Sequence, residues 1–188
     1  MKKGAAPAES ALLVPVPPVQ SVARWVRWRF DPSARARMPP HVTVLYPFVS
    51  PPPSNEVIRT LRDLFAGVAP FGFDLTEVAW FDERVAYLTP EPSGPFESLT
   101  WQVVEKFPGY LPYRGAYGTD HVVPHVTLAT SGRPDARRRA ARRVAKRLPV
   151  HATASEVLLM ARYLGGKPWR ALESFSLGGG SSASAIGS

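Results

Sequence analysis

The chain has 188 residues, 45% of them hydrophobic and 20% charged, and contains no cysteine. This composition fits a soluble globular protein and excludes disulfides, thiolate metal sites and a cysteine nucleophile, so packing must hold the fold. The net charge is +8, yet the segment from Arg133 to Arg147 holds eight basic residues against Asp135, a local +7 that leaves +1 for everything else. The basicity therefore belongs to one segment, either a solvated arginine-rich helix face or a field that attracts polyanions.

The opening MKKGAAPAES has two lysines but no sustained apolar run behind them, and residues 1–10 are expected to be disordered. ALLVPVPPV follows, too short and too proline-broken for a signal or a membrane span, which predicts a cytoplasmic protein. Residues 11–16 read as a strand, and 19–29 place Val19, Val22, Trp25 and Val26 at helical spacing. Residues 41–46 read as a strand. Ser54 is placed to cap a helix carrying Val57, Ile58, Leu61, Leu64 and Phe65 on one face. Strands follow at 71–80 and 84–89. Pro95 opens a helix with Phe96, Leu99, Val103 and Phe107 on one side. Residues 125–129 read as a strand, and the helix 134–147 turns Ala140, Ala141, Val144 and Ala145 inward and its arginines outward. Strands at 150–154, 156–163 and 169–177 close the chain before a Gly/Ser tail, 178–188, expected to be disordered.

PPHVTV at 39–44 and PHVTL at 124–128 are near-copies, and a shift of 84 residues lays the first half of the chain on the second. Each half, about 11–83 and 84–177, reads strand, helix, His-x-Thr strand, helix, strand, strand. Two copies predict an interleaved, pseudo-twofold pair of lobes within one domain, 11–177. Strands that follow one another without helices between them predict an α+β fold, with two mostly antiparallel sheets flanked by helices about a central cleft.

Residues i and i+2 of a strand share a face, so His41 lies beside Thr43 and His125 beside Thr127, with Val42, Val44 and Tyr46 on the other side. Two imidazoles and two hydroxyls about one cleft suit a phosphate ester. One neutral imidazole takes a proton from water, the other as imidazolium gives one to the leaving oxygen, and the hydroxyls donate to phosphate oxygens. Histidine, with an ordinary pKa of about 6.5, supplies both forms near neutrality. A lone His-x-Thr says little: a third triplet, His151 to Thr153, lies at the repeat position of the apolar strand near Phe71 and Phe73 and is assigned a structural role. His121 is either cleft rim or plain surface. A two-histidine metal site is the competing chemistry, but carboxylates are missing beside both motifs, Asp120 being the nearest. No metal or other cofactor is expected.

PPHVTVLYPF and VPHVTLAT resemble the paired motifs of the 2H phosphoesterase superfamily, specifically its 2′-5′ RNA ligase-like group, and the resemblance spans about residues 10 to 177. It implies a bilobal α+β fold and a metal-independent cyclic phosphodiesterase acting on 2′,3′-cyclic phosphates or related RNA and nucleotide esters. It also implies that His41 and His125 are the acid–base pair and that Thr43 and Thr127 hold phosphate. Such relatives often carry an arginine where this chain has Thr130; Arg133 in the next loop is the candidate substitute. Two loops, RFDPSARARMPP with Arg35 and Arg37, and PGYLPYRGAYGTDHVVP with Tyr113, Arg114 and Tyr117, are candidates for contact with phosphate and a stacked base, against the plain reading of common surface residues. The five tryptophans are assigned to packing. The partner is an RNA or nucleotide and the protein a monomer without membrane contact. A binding protein without turnover, or a pathway-specific enzyme on an unusual substrate, fits the same cleft.

Overall fold

The computed structural model describes residues 8–116, 118, 122–163 and 168–178. Tyr117, Asp120 and His121 lie outside the described residues, as do 1–7 and 179–188 of the two ends. In chain order the elements are β1 (Ala8–Pro15), α1 (Val19–Phe30), the short α2 (Pro32–Arg35), β2 (His41–Leu45), α3 (Asn55–Ala66), β3 (Phe71–Phe81), β4 (Val85–Glu91) and α4 (Gly94–Lys106). A 3-10 turn, Pro112–Gly115, then leads to β5 (Val126–Ala129), α5 (Pro134–Ala145), β6 (Val150–Ala154), β7 (Glu156–Tyr163) and β8 (Arg170–Ser176).

The elements form where local chemistry favours them. The Ser54 hydroxyl accepts from the Val57 amide at 3.3 Å and starts α3, whose Leu61 and Phe65 are buried. Pro95 stands in the first turn of α4, where its missing N–H costs nothing. α2 is a single turn that the sequence reading left as loop; Asp31 builds it by accepting from the Ser33 amide at 3.0 Å.

The strands join one eight-stranded sheet in the order β6-β3-β4-β5-β2-β1-β7-β8, with every neighbouring pair antiparallel. The two sheets expected from the repeat are instead one, a single sheet whose four-stranded halves are joined because Val42 of β2 pairs with Val126 of β5. The inner strands follow the repeat, β1 and β2 matching β4 and β5, while the second half supplies both outer strands, β6 and β8; each half-sheet takes strands from both halves of the chain. Helices α1 and α5 pack beside each other on the β5 side, and α3 and α4 pack together with β8 and β2. One core of aliphatic and phenylalanine side chains runs between helices and sheet.

Three details differ from the sequence reading. β1 begins at Ala8, so Glu9 and Ser10 belong to the sheet; the buried Ser10 hydroxyl donates to the Val49 carbonyl at 2.6 Å. In α5 the buried stripe is Arg137, Ala140, Ala141 and Val144, while Ala145 is exposed. Arg137 turns inward because its guanidinium donates to the Arg84 carbonyl at 2.5 Å. In α1 the buried stripe is Val19, Ala23, Val26, Arg27 and Phe30, which leaves Trp25 and Trp28 on the solvent face at 56% and 61% exposure. The packing role assigned to these two tryptophans therefore fails, because the helix rotates to bury Arg27. Trp169, by contrast, is buried.

Candidate active site

Val42 and Val126 are the residues that follow the two motif histidines, and they face each other across the seam of the sheet. Antiparallel pairing about that point sets His41 opposite Thr127 and Thr43 opposite His125. Since valines 42 and 126 point into the core, all four polar side chains share the opposite face. Each histidine thus lies beside the other motif's threonine, and a twofold axis passes between them.

Both strands carry the same irregularity just beyond this point. Leu12 pairs with Leu45 and Leu13 with Thr43, so Val44 is an extra residue in β2; Ala86 pairs with Ala129 and Tyr87 with Thr127, so Leu128 is an extra residue in β5. A bulge of this kind reverses the alternation after it. Val44 and Leu45 both enter the core, as do Leu128 and Ala129. The next residues, Tyr46 and Thr130, then turn to the histidine face. Tyr46, expected on the apolar side, accordingly lines the cleft because of the bulge.

The cleft is a cavity of about 400 Å³ lined by His41, Thr43, Tyr46, Thr127 and Thr130, with Asp31 and Ser33 at one wall and Arg162 and Trp169 at the other. Such a volume suits a small ligand. His125 and Thr43 line a small recess next to it, closed by Tyr46, Pro112 and Tyr113. Among the described residues no three histidine or carboxylate side chains are grouped to hold a metal ion.

The two imidazoles are held alike. His41 Nδ1 bonds the Pro39 carbonyl at 2.8 Å and His125 Nδ1 bonds the Val123 carbonyl at 2.7 Å, each two residues back. A carbonyl only accepts, so Nδ1 carries the proton and Nε2 is left with its lone pair. Burial pushes His41 down to about 4, with the Arg27 guanidinium adding to the effect against the Pro39 bond. His125 is lowered as well, again by burial; the edges of Phe81 and Tyr87 stand against its ring at centroid separations of 5.0 and 5.4 Å. Both shifts favour the neutral imidazole.

Around the four residues lies a frame that the sequence reading did not name. Arg27 and Asp31 form an ion pair at 2.8 Å with both side chains almost wholly buried. Arg27 Nε also donates to the Thr127 carbonyl at 3.1 Å, so α1 holds β5 at the point where Thr127 faces the cleft. Opposite, Glu9 accepts from the Tyr46 hydroxyl at 2.5 Å and from Arg162, whose guanidinium lies 5.1 Å from the Trp169 ring centroid. Burial and the Glu9 carboxylate push Tyr46 up to about 12, so its hydroxyl stays protonated. Arg27 was visible as a basic residue on the stripe of α1, four residues before Asp31. Arg162 and Trp169 carry no local signal, since neither the strand pattern nor the spacing connects them to the motifs.

The loop candidates separate. Tyr113 reaches the recess beside His125 and Thr43, and its amide donates to the Tyr46 carbonyl at 2.7 Å. Arg114 is exposed near Tyr46. Arg35 is exposed and turns away, donating to the Trp28 carbonyl at 2.9 Å. Arg37 and Arg133 are exposed and line none of the cleft. His151 is far off on the surface, bonded across strands to Asp74 at 2.5 Å.

A duplicated antiparallel sheet that presents one His-x-Thr pair from each half to a shared cleft defines a class of protein by fold and site together. The chain belongs to the 2′-5′ RNA ligase superfamily, whose family model matches residues 16–166. It is 30% identical over 121 residues to the "Putative phosphoesterase" of Bacillus cytotoxicus, an alignment covering 63% of this chain and 66% of that protein. Among solved structures it is similar to TT0787 of Thermus thermophilus, with TM-score 0.59 and 20% identity over 92% of this chain and all of the other. It is also similar to E. coli LigT complexed with phosphate, with TM-score 0.52 and 17% identity over 92% of this chain and 99% of LigT. These two likenesses establish the shared fold. Among the described residues no helix is long and apolar enough to cross a membrane.

Proposed function

We propose that the chain hydrolyses 2′,3′-cyclic phosphates or related RNA and nucleotide phosphoesters by two-histidine acid–base catalysis, as a cytoplasmic monomer. One chain supplies both halves of the site, so a monomer suffices. The observation that carries the reading is the Val42–Val126 register, which sets each histidine beside the other motif's threonine on one face. The LigT structures with phosphate and with 3′-AMP support a nucleotide-sized occupant.

His41 is the base. Burial, more than Arg27 beside it, disfavours a cation there, so Nε2 is ready to take a proton from water. The water oxygen bonds to phosphorus, one ring ester bond breaks, and His125 Nε2–H protonates the departing oxygen. Thr43 and Thr127 donate to the non-bridging oxygens, and the product is a phosphomonoester. The incoming phosphate anion favours the imidazolium at His125. No step needs a metal.

In the free protein His41 must be neutral and His125 protonated. Activity therefore rises through about pH 4 as His41 loses its proton. On the alkaline side it declines at a pH below the ordinary histidine value of about 6.5, as His125 loses its own. The kcat/KM profile for a cyclic nucleotide, measured with chelator present, is expected to be a bell peaking on the acid side of neutrality. Loss of activity with chelator, or an optimum well above neutrality, contradicts the mechanism. Thr130, where relatives often carry arginine, favours a second reading, a cleft that binds such esters without turnover; the absence of product after long incubation identifies it.

A further inference from the structure

The two most exposed large apolar side chains of the described chain are Trp25 and Trp28. They stand three residues apart on α1, so they share one face. It is the face turned away from the core, since the opposite stripe packs on β5. Exposed Arg24 and Arg29 flank them, and α1 contains no acidic residue. Arg35 adds a third cation at the C-terminal end, held there by the carbonyls of Trp28 at 2.9 Å and Arg29 at 3.4 Å. Asp31, the nearest acid, is buried and paired with Arg27. Beside α1 runs α5, with Arg139 and Arg143 exposed, while Arg138 pairs with Glu83 and Asp135 on the side of α5 that faces β3.

This surface is continuous with the cleft. Asp31, Pro32 and Ser33 line the cavity, and they directly follow α1 and open the turn that ends in Arg35. A strand leaving the cleft over this rim meets Arg35 and Trp28, then Arg29 and Trp25. Indole faces stack on any base, and the arginines match a phosphate at each step. An amphipathic helix that lies on a membrane needs a broad apolar face. Here the outer face is two indoles among Gln20, Ser21 and arginines, and the apolar face is already spent on the sheet.

We infer that the outer face of α1, backed by the arginines of α5, is a docking track for single-stranded RNA whose end occupies the cleft. The inference rests on the phosphoester reading for the chemistry at that end, while binding along α1 can be read independently. The test uses the full chain with a dinucleotide and an oligoribonucleotide of roughly ten residues, each ending in a 2′,3′-cyclic phosphate. Fluorescence anisotropy of 5′-labelled RNA reports binding, and product formation is followed in parallel. The longer RNA is expected to bind at least about tenfold more tightly than the dinucleotide, and Trp25→Ala with Trp28→Ala to remove that gain. Arg24→Gln with Arg29→Gln is expected to flatten the salt dependence for the long RNA. Both tryptophans are exposed, so folding is not at stake.

Equal affinity for the two lengths, or a double tryptophan variant that binds the long RNA like the parent, overturns the inference even if cyclic mononucleotides are turned over. Length-dependent binding lost in that variant, with no product from any substrate, upholds the track and removes the catalytic reading. Vesicles of phosphatidylglycerol and phosphatidylcholine form the last arm. Tryptophan-dependent binding to them, with RNA binding unaffected by the same variant, overturns the inference in favour of a membrane surface.

Discussion

His41→Ala and His125→Ala are each expected to lower kcat/KM toward a 2′,3′-cyclic nucleotide by roughly 100- to 10,000-fold, with the fold intact. Both rings sit at the cleft, and the packing that alanine gives up is the edge contact of His125 with Phe81 and Tyr87. Each makes its Nδ1 bond to a carbonyl only two residues back, so its loss is local. The two losses are not expected to multiply, because the residues act on one transition state. The roles separate with the leaving group. An ester that departs as p-nitrophenolate needs no proton, so it is expected to restore much of the rate to His125→Ala and none to His41→Ala. Rescue of the opposite variant reverses the assignment of acid and base. Full activity in either variant with the natural type of ester rejects the mechanism.

Asp31→Leu is expected to destabilise the protein by about 3–5 kcal/mol, because it leaves the Arg27 guanidinium buried without its counter-charge. The pair lies almost fully out of solvent, so its removal is not screened as a surface bridge would be. Denaturant midpoints measure the loss. The double variant Arg27→Met with Asp31→Leu replaces both charges by apolar groups of similar length and is expected to recover part of the stability, the Asp31 bonds to Ser33 that open α2 staying lost. Activity is expected to stay low in the double variant, since the Thr127 carbonyl loses the Nε donor that ties β5 to α1. Arg27, which lowers His41, and Asp31, which raises it, leave together while burial stays, so the acid limb of the pH profile is expected to stay in place. A double variant as unstable as Asp31→Leu alone contradicts this account of the pair. So does a double variant with parental activity.

Much of the architecture was legible because it rests on local pattern. The stripes of α3 and α4, the Ser54 cap, Pro95 in a first turn and the alternation in HVTV need no distant partner to be read. The doubled motif, too, announces the pseudo-symmetry, and with it the pairing of His41 with Thr43 and of His125 with Thr127. Where alternation failed, the cause was non-local. The bulges at Val44 and Leu128 come from register against β1 and β4, and they alone send Tyr46 and Thr130 to the cleft.

What the sequence determined by itself is that two His-x-Thr strands recur in equivalent halves, because period and repetition are written along the chain. What only the tertiary structure decided is how the halves meet. The Val42–Val126 seam puts each histidine next to the other half's threonine, a contact between residues more than eighty positions apart. Burial then sets their protonation, and the Glu9, Tyr46, Arg162 and Trp169 wall is assembled from both ends of the described chain. Register and desolvation are sums over neighbours brought together by folding, so no local window of sequence contains them.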